Sequence, residues 1–126
     1  MSTKSLPLLH AVALALLGAA ACLPALAAGP PVNRAPGFLA DTSGRPLYTY
    51  DKDTPGQSNC YAQCAVLWPP LLAGDGDAPT GDFTLVVRKD GRRQWAFNGM
   101  PLYYWVSDRV PGPPTGEAVA GWKLIR

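Results

Sequence analysis

A ten-residue unit written twice constrains this chain more than any other feature. Gly44-Arg45-Pro46-Leu47-Tyr48-Thr49-Tyr50-Asp51-Lys52-Asp53 recurs 55 positions later as Gly99-Met100-Pro101-Leu102-Tyr103-Tyr104-Trp105-Val106-Ser107-Asp108, without a gap. Gly, Pro, Leu, Tyr and the final Asp are identical, and the position two beyond Tyr is aromatic in both copies. A unit repeated in this way buries the same side chains twice, so the copies are expected on equivalent strands. Pro46 and Pro101 fall at strand starts, where a ladder tolerates the missing N–H. Alternation along a strand puts Tyr48 with Tyr50, and Tyr103 with Trp105, on one face; Leu47 and Leu102 point the other way and are expected in the core. Two readings of the aromatic side stand open. In one, a single face is core, and Asp53 and Asp108 hydrogen-bond the turns that follow each strand. In the other, Tyr48, Tyr50, Tyr103 and Trp105 form a platform for a sugar or peptide ligand, with Asp53 and Asp108 at its rim.

The rest of the chain is β-rich and turn-rich. Phe38-Leu39-Ala40 reads as a strand leading through Asp41-Thr42-Ser43-Gly44 to a second strand at Pro46–Tyr50. Residues 59–67 suit one short helix, capped by Ser58 or Asn59 and stopped by Pro69-Pro70. Its stretch Ala65-Val66-Leu67-Trp68 is expected to pack onto the sheet. Residues 72–81 read as loop. Phe83–Arg88, Gln94–Phe97, Met100–Val106 and Trp122–Ile125 complete the strands, with turn signals at Asp90-Gly91 and Asn98-Gly99. The predicted fold is mostly β (α+β): a small antiparallel sheet of about six short strands in two repeated hairpin units, with one short helix. The units span about 37–74 and 81–126 of a single domain, 37–126. The Gly-, Pro- and Ala-rich stretch 28–36 reads as a flexible lead-in.

Residues 1–27 have the pattern of an export signal. Lys4 precedes an apolar run from Leu6 to Ala21, and Ala25-Leu26-Ala27 fits the small-x-small pattern of a cleavage site. The run is shorter than the roughly 20 residues of a spanning helix. A second processing route is open, because Ala19-Ala20-Ala21-Cys22 resembles a lipobox in which Cys22 would be acylated. Membrane attachment is expected only by that route. Either route removes Cys22 as a competing thiol and leaves Cys60 and Cys64 as a pair.

Several function classes lack their chemistry. The single histidine, His10, lies in the leader, so the mature domain has no Ser-His or Cys-His pair, and no Gly-x-Ser-x-Gly elbow or phosphate-binding glycine motif occurs. No enzyme is expected, no catalytic residue is assigned and no cofactor is implied. With a formal charge of +2 before Lys4 is lost, the chain has no electrostatic pull on nucleic acid. The basic cluster Arg88, Lys89, Arg92 and Arg93 reads as the solvated tip of a hairpin. No metal site is expected: two thiolates without His cannot close a structural zinc site, and Asp75-Gly76-Asp77 with Asp82 lacks the Gly and Glu of a calcium loop.

Cys60 and Cys64 are the one pair with distinctive chemistry. Export makes a disulfide the default. Residues four apart on a regular helix place their Cβ atoms wider than a disulfide prefers, so the bond has to sit where the helix is irregular. The alternative is a thiol redox or Cu(I)-handling pair. The partner of the domain, whether an envelope component or a small ligand, is not specified by any of these residues.

Tyr48-Thr49-Tyr50-Asp51-Lys52-Asp53 and Tyr103-Tyr104-Trp105-Val106-Ser107-Asp108 both fit a Tyr-x-aromatic-x-x-Asp motif. With Cys60-Tyr61-Ala62-Gln63-Cys64-Ala65, Trp68-Pro69-Pro70-Leu71 and Gln94-Trp95, the chain resembles the secreted-repeat family of unknown function, a group of predicted bacterial lipoproteins. The resemblance covers nearly all of residues 38–125. It implies a secreted or cell-envelope location, often lipid-anchored, and no established activity. The closing tryptophan of that family is often followed by His; here Lys123 follows Trp122, which removes any metal role resting on that His.

Overall fold

The computed structural model describes residues 28–126 and the isolated Thr3. The export signal and Cys22 lie outside the described residues. Seven short strands and one helix follow in the order β1 (Val32–Ala35), β2 (Phe38–Asp41), β3 (Tyr48–Tyr50), α1 (Gln63–Leu67), β4 (Phe83–Val87), β5 (Arg93–Phe97), β6 (Met100–Pro101) and β7 (Trp122–Leu124). All strand pairings are antiparallel: β1 with β2, β3 with β7, and β4 with β5 and β6.

The glycine that opens each repeat is fixed by backbone geometry. Gly44 and Gly99 both hold positive φ, at 88° and 82°. Gly99 follows Asn98, itself at φ 50°, in the two-residue loop between Phe97 and Met100, which is the conformation that a tight hairpin turn selects.

The two repeats meet at Tyr48 and Tyr103. Each donates its backbone N–H to the other's carbonyl, both at 2.9 Å. Around this point the same hydrogen bonds appear twice. Leu47 N–H donates to Leu39 and Leu102 N–H to Trp95; Leu39 N–H donates to Ile125 and Trp95 N–H to Leu71. Tyr48 pairs with Leu124, as Tyr103 pairs with Pro70. The segment closing each unit therefore crosses to the other unit, and the chain has an approximate internal two-fold.

Both faces of the repeat strands are buried, where one reading of the sequence put a single face in the core. Leu47 and Leu102, each 0% exposed, join Leu39, Leu71 and Trp95. Tyr48 and Tyr103 join Cys60, Trp68, Trp122 and Leu124 on the opposite side.

Three expectations need correction. The lead-in 28–36 contains β1, which pairs with β2 through Val32↔Asp41 to Ala35↔Phe38 and raises the strand count to seven. The helix is five residues long, begins at Gln63 behind Ala62 at φ 53°, and has no side-chain cap. Ser58 and Asn59 are engaged elsewhere. Of the stretch expected to pack inward, Ala65 is half-buried against the core and Trp68, just past the helix, enters it, while Val66 is 62% exposed and Leu67 is exposed beside it.

Candidate functional site

The residues expected to form the aromatic platform come together, in an arrangement that crosses between the repeats. Tyr103 donates its phenolic proton to Asp53 Oδ2 at 2.7 Å, and Tyr48 donates to Asp108 Oδ2 at 2.7 Å. Each repeat's tyrosine is thus held by the other repeat's aspartate. The second oxygens serve local backbone, as the turn-bonding reading expects. Asp53 Oδ1 accepts from Asn59 N–H (2.7 Å), and Asp108 Oδ1 accepts from Thr115 N–H and its hydroxyl (2.8 Å each).

The platform itself is closed from within. Tyr48 and Tyr103 are fully buried, and Gly116 N–H caps the Tyr48 oxygen at 3.0 Å. Tyr50 and Trp105 are half-buried and stack on Trp122 and Trp68, each at 4.3 Å. A ligand can meet these two ring edges but not the tyrosines between them.

Around Asp53 lies a polar chain that sequence reasoning missed. Arg88, 2% exposed, donates from Nη1 to Ser58 Oγ (3.1 Å) and Gln94 Oε1 (2.6 Å), and from Nη2 to the Cys60 carbonyl (2.7 Å). Ser58 Oγ lies 2.5 Å from the Tyr103 hydroxyl. Since Tyr103 gives its proton to Asp53, Ser58 donates to Tyr103. The bonds then run in one direction, from the Arg88 cation through two hydroxyls to the Asp53 carboxylate. A buried charge of each sign is tolerated because this chain of hydrogen bonds joins them, with Arg88 Nε alone of the guanidinium nitrogens unpartnered. Arg88 is therefore no part of a solvated hairpin tip. Its guanidinium packs over the Tyr61 ring at 4.4 Å, while Arg92 and Asp90 form an exposed ion pair at 2.8 Å. The sequence carried a signal for this: Val86 and Arg88 are two apart at the end of a strand, and both point inward.

Burial raises the pKa of Tyr48, Tyr103 and Tyr104, and the hydrogen bonds to Asp108, Asp53 and Asp41 raise them further. Burial also pushes the Asp53 carboxyl up, against the Tyr103 and Asn59 donors and the Arg88 charge. The phenols make a pH prediction. Their pKa values are raised in the fold, so stability is intact below the ordinary tyrosine value of 10.0 and falls as pH rises above it, where the unfolded chain ionises first. Each withheld phenol removes about 1.4 kcal/mol per pH unit, so Tyr48 and Tyr103 together remove about 3. An ultraviolet phenolate titration should show these rings ionising only as the tertiary circular-dichroism signal is lost. Reversible ionisation of both in the folded chain would contradict the burial.

Cys60 and Cys64 form a disulfide with Cα atoms 5.2 Å apart. Because α1 starts at Gln63, Cys60 lies outside the helix, which removes the geometric conflict that a regular helix would pose. Cys60 is fully buried and Cys64 is half-buried. Alkylation mass shifts on native protein should show no free thiol. Graded reduction should place the first mixed disulfide on Cys64, the less buried of the two residues, by peptide mapping. Two alkylated cysteines before reduction would overturn the assignment.

Among the described residues no pocket opens, and no group of three or more His, Cys, Asp or Glu side chains is placed to hold a metal. No helix among them is long and apolar enough to cross a membrane.

The doubled unit that builds this geometry also identifies the family. The model of the secreted repeat of unknown function matches residues 32–72 and again 84–123, more than half of the chain. The protein is a member of that family. Each matched stretch contains one Pro-Leu-Tyr strand and ends at its closing segment, so this secreted repeat is one domain made of two interlocked copies. No curated protein and no solved structure matches the chain.

Proposed function

We propose that this secreted repeat is a non-catalytic cell-envelope module, a rigid scaffold that meets a partner or ligand on its outer surface. The observation that carries this reading is the engagement of its carboxylates. Asp53 and Asp108 each hold a tyrosine and a backbone N–H, and Asp41 holds the Tyr104 hydroxyl with the N–H groups of Ser43 and Arg45. Side chains committed to holding strands together are poorly placed to move protons for a substrate.

The contact surface we assign is apolar. Val106 N–H donates to the Leu67 carbonyl at 3.1 Å, which brings exposed Val106 beside exposed Leu67 and Val66, next to the half-buried Trp105. Side chains of this kind grouped at a surface fit a contact role better than isolated exposure does. We place the protein in the periplasm or envelope, lipid-anchored where Cys22 is acylated; the intact mass of the native form distinguishes the two. The test of the binding role is co-sedimentation of the mature domain with isolated cell-envelope fractions. Saturable binding of the native domain, weakened at least tenfold in a Leu67→Ser/Val106→Ser variant of unchanged circular dichroism, is the expected result. Native protein that stays in the supernatant, or a variant that sediments equally, would overturn it.

The Cys60–Cys64 bond favours a second reading, a thiol redox or Cu(I)-handling role, only through the accessibility of Cys64. Cys60 is fully buried, so exchange in such a role would have to begin at Cys64.

A further inference from the structure

Six aromatic side chains touch in one unbroken set. Tyr50 lies on Trp122 at 4.3 Å and 12°, Trp122 on Trp68 at 3.8 Å and 4°, and Trp68 on Trp105 at 4.3 Å and 28°. Tyr103 meets Trp122 edge-on at 5.1 Å, and Tyr48 meets Trp68 edge-on at 5.4 Å. The inner indoles are buried, while Trp105 and Tyr50 bring the two ends to the surface.

The centre of this stack is its closest contact. Ring quadrupoles favour offset or edge-to-face pairs over a face-to-face sandwich. Trp68 and Trp122 are parallel to within 4° at a centroid separation of 3.8 Å, a direct face contact. Face contact at this distance is what electronic coupling between π-systems needs. The two edge-on phenols add a second feature. Each has its proton already directed at a carboxylate, Tyr103 at Asp53 and Tyr48 at Asp108, so either ring can lose an electron and a proton together without a heavy atom moving.

We propose that this ring set conducts single oxidising equivalents from the surface to a buried tyrosine. An outer-sphere one-electron oxidant at Trp105 takes one electron from the indole and is itself reduced by one electron. Trp105 regains its electron from Trp68, Trp68 from Trp122, and Trp122 from Tyr103. Tyr103 gives its phenolic proton to Asp53 Oδ2 in the same step. The products are the reduced oxidant, a neutral tyrosyl radical and a neutral carboxyl; no bond between heavy atoms forms or breaks. The final step replaces an indole cation and a buried carboxylate by two neutral groups, which a low-dielectric core favours. Tyr48 with Asp108 offers an equivalent terminus beside Trp68. Asp53 is the more deeply buried of the two acceptors, and burial pushes its carboxyl up.

The test uses the mature domain and a ruthenium polypyridyl complex, oxidised photochemically with persulfate, as the one-electron oxidant. Freeze-quenched samples are read by electron paramagnetic resonance, and hole arrival is followed by transient absorption. The native chain should give a neutral tyrosyl signal that survives Tyr61→Phe, and its formation should slow in heavy water. Trp105→Phe/Tyr50→Phe, which keeps an aromatic ring at each end, should lose most of the signal. Asp53→Asn should weaken the tyrosyl signal to the part carried by Tyr48, and Asp53→Asn/Asp108→Asn should replace it by that of an oxidised indole; if these variants do not fold, the heavy-water slowing tests the same proton transfer in the native chain. A signal abolished by Tyr61→Phe, one unchanged in Trp105→Phe/Tyr50→Phe, or a rate indifferent to heavy water would each overturn the proposal.

Discussion

Arg88→Met is expected to destabilise the domain by about 3–5 kcal/mol, the range for removing one partner from a buried charged network. The methionine fills most of the space but donates nothing. Ser58 Oγ, Gln94 Oε1 and the Cys60 carbonyl would each lose a donor in a region sealed from water. Asp53 would keep a buried carboxylate without the cation that faces it through two hydroxyls. For a domain whose total stability is of order 5–15 kcal/mol, such a loss leaves little folded protein under mild denaturant. Arg92→Ala, four residues away on the same turn, is the control. Its ion pair with Asp90 is exposed, and its removal should change stability by no more than about 0.5 kcal/mol. Urea midpoints of the two variants read the contrast directly. Adding Asp53→Asn to Arg88→Met should recover part of the loss, because the second change removes the unpaired charge. Equal midpoints for the two single variants would show that Arg88 is no part of the core.

The repeat was legible because its residues serve backbone and burial needs that the sequence states locally. Gly44 and Gly99 hold positive φ, Pro46 and Pro101 begin strands, and Leu47 and Leu102 face inward by alternation. The exchange between the copies was not legible. A Tyr-x-x-x-x-Asp spacing within one unit gives no sign that Tyr48 bonds Asp108 while Tyr103 bonds Asp53, since that depends on how two strands meet 55 positions apart. The pairing of β3 with β7 is hidden for the same reason.

Arg88 shows a different difficulty. Arginine in a basic run reads as solvated, and its burial depends on acceptors brought from residues 58, 60 and 94. The helix was overextended because Ser58 and Asn59 are good caps in isolation. Here Ser58 is drawn to Tyr103 and Arg88, and the Asn59 side chain is drawn to the Lys52 carbonyl. The strand β1 was missed because its residues, Val-Asn-Arg-Ala, bury little, and its order comes from pairing with β2. In each case tertiary contacts decide between local options that are close in energy.

Leu47→Ala and Leu102→Ala should each cost about 2–5 kcal/mol, the range for truncating a fully buried leucine. Both are wholly inaccessible and share one cluster with Leu39, Leu71 and Trp95, on the side of the strands opposite the tyrosines. The approximate two-fold makes the sites similar in burial without making them equal. The Leu102 carbonyl accepts both Leu71 N–H at 2.9 Å and Gln94 Nε2 at 2.8 Å, so its backbone is held from two sides. A site held in this way collapses less around a cavity, and Leu102→Ala is expected at the upper end of the range. Because the two leucines lie in one cluster, their losses should not add, and the double variant measures their coupling. Leu102→Met, which conserves volume, should lose less than about 1.5 kcal/mol and separates the cavity from any disturbance of the backbone. Thermal or urea unfolding of the four variants supplies the values. A Leu102→Ala variant as stable as the native chain would remove Leu102 from the core, and with it the equivalence of the two repeats.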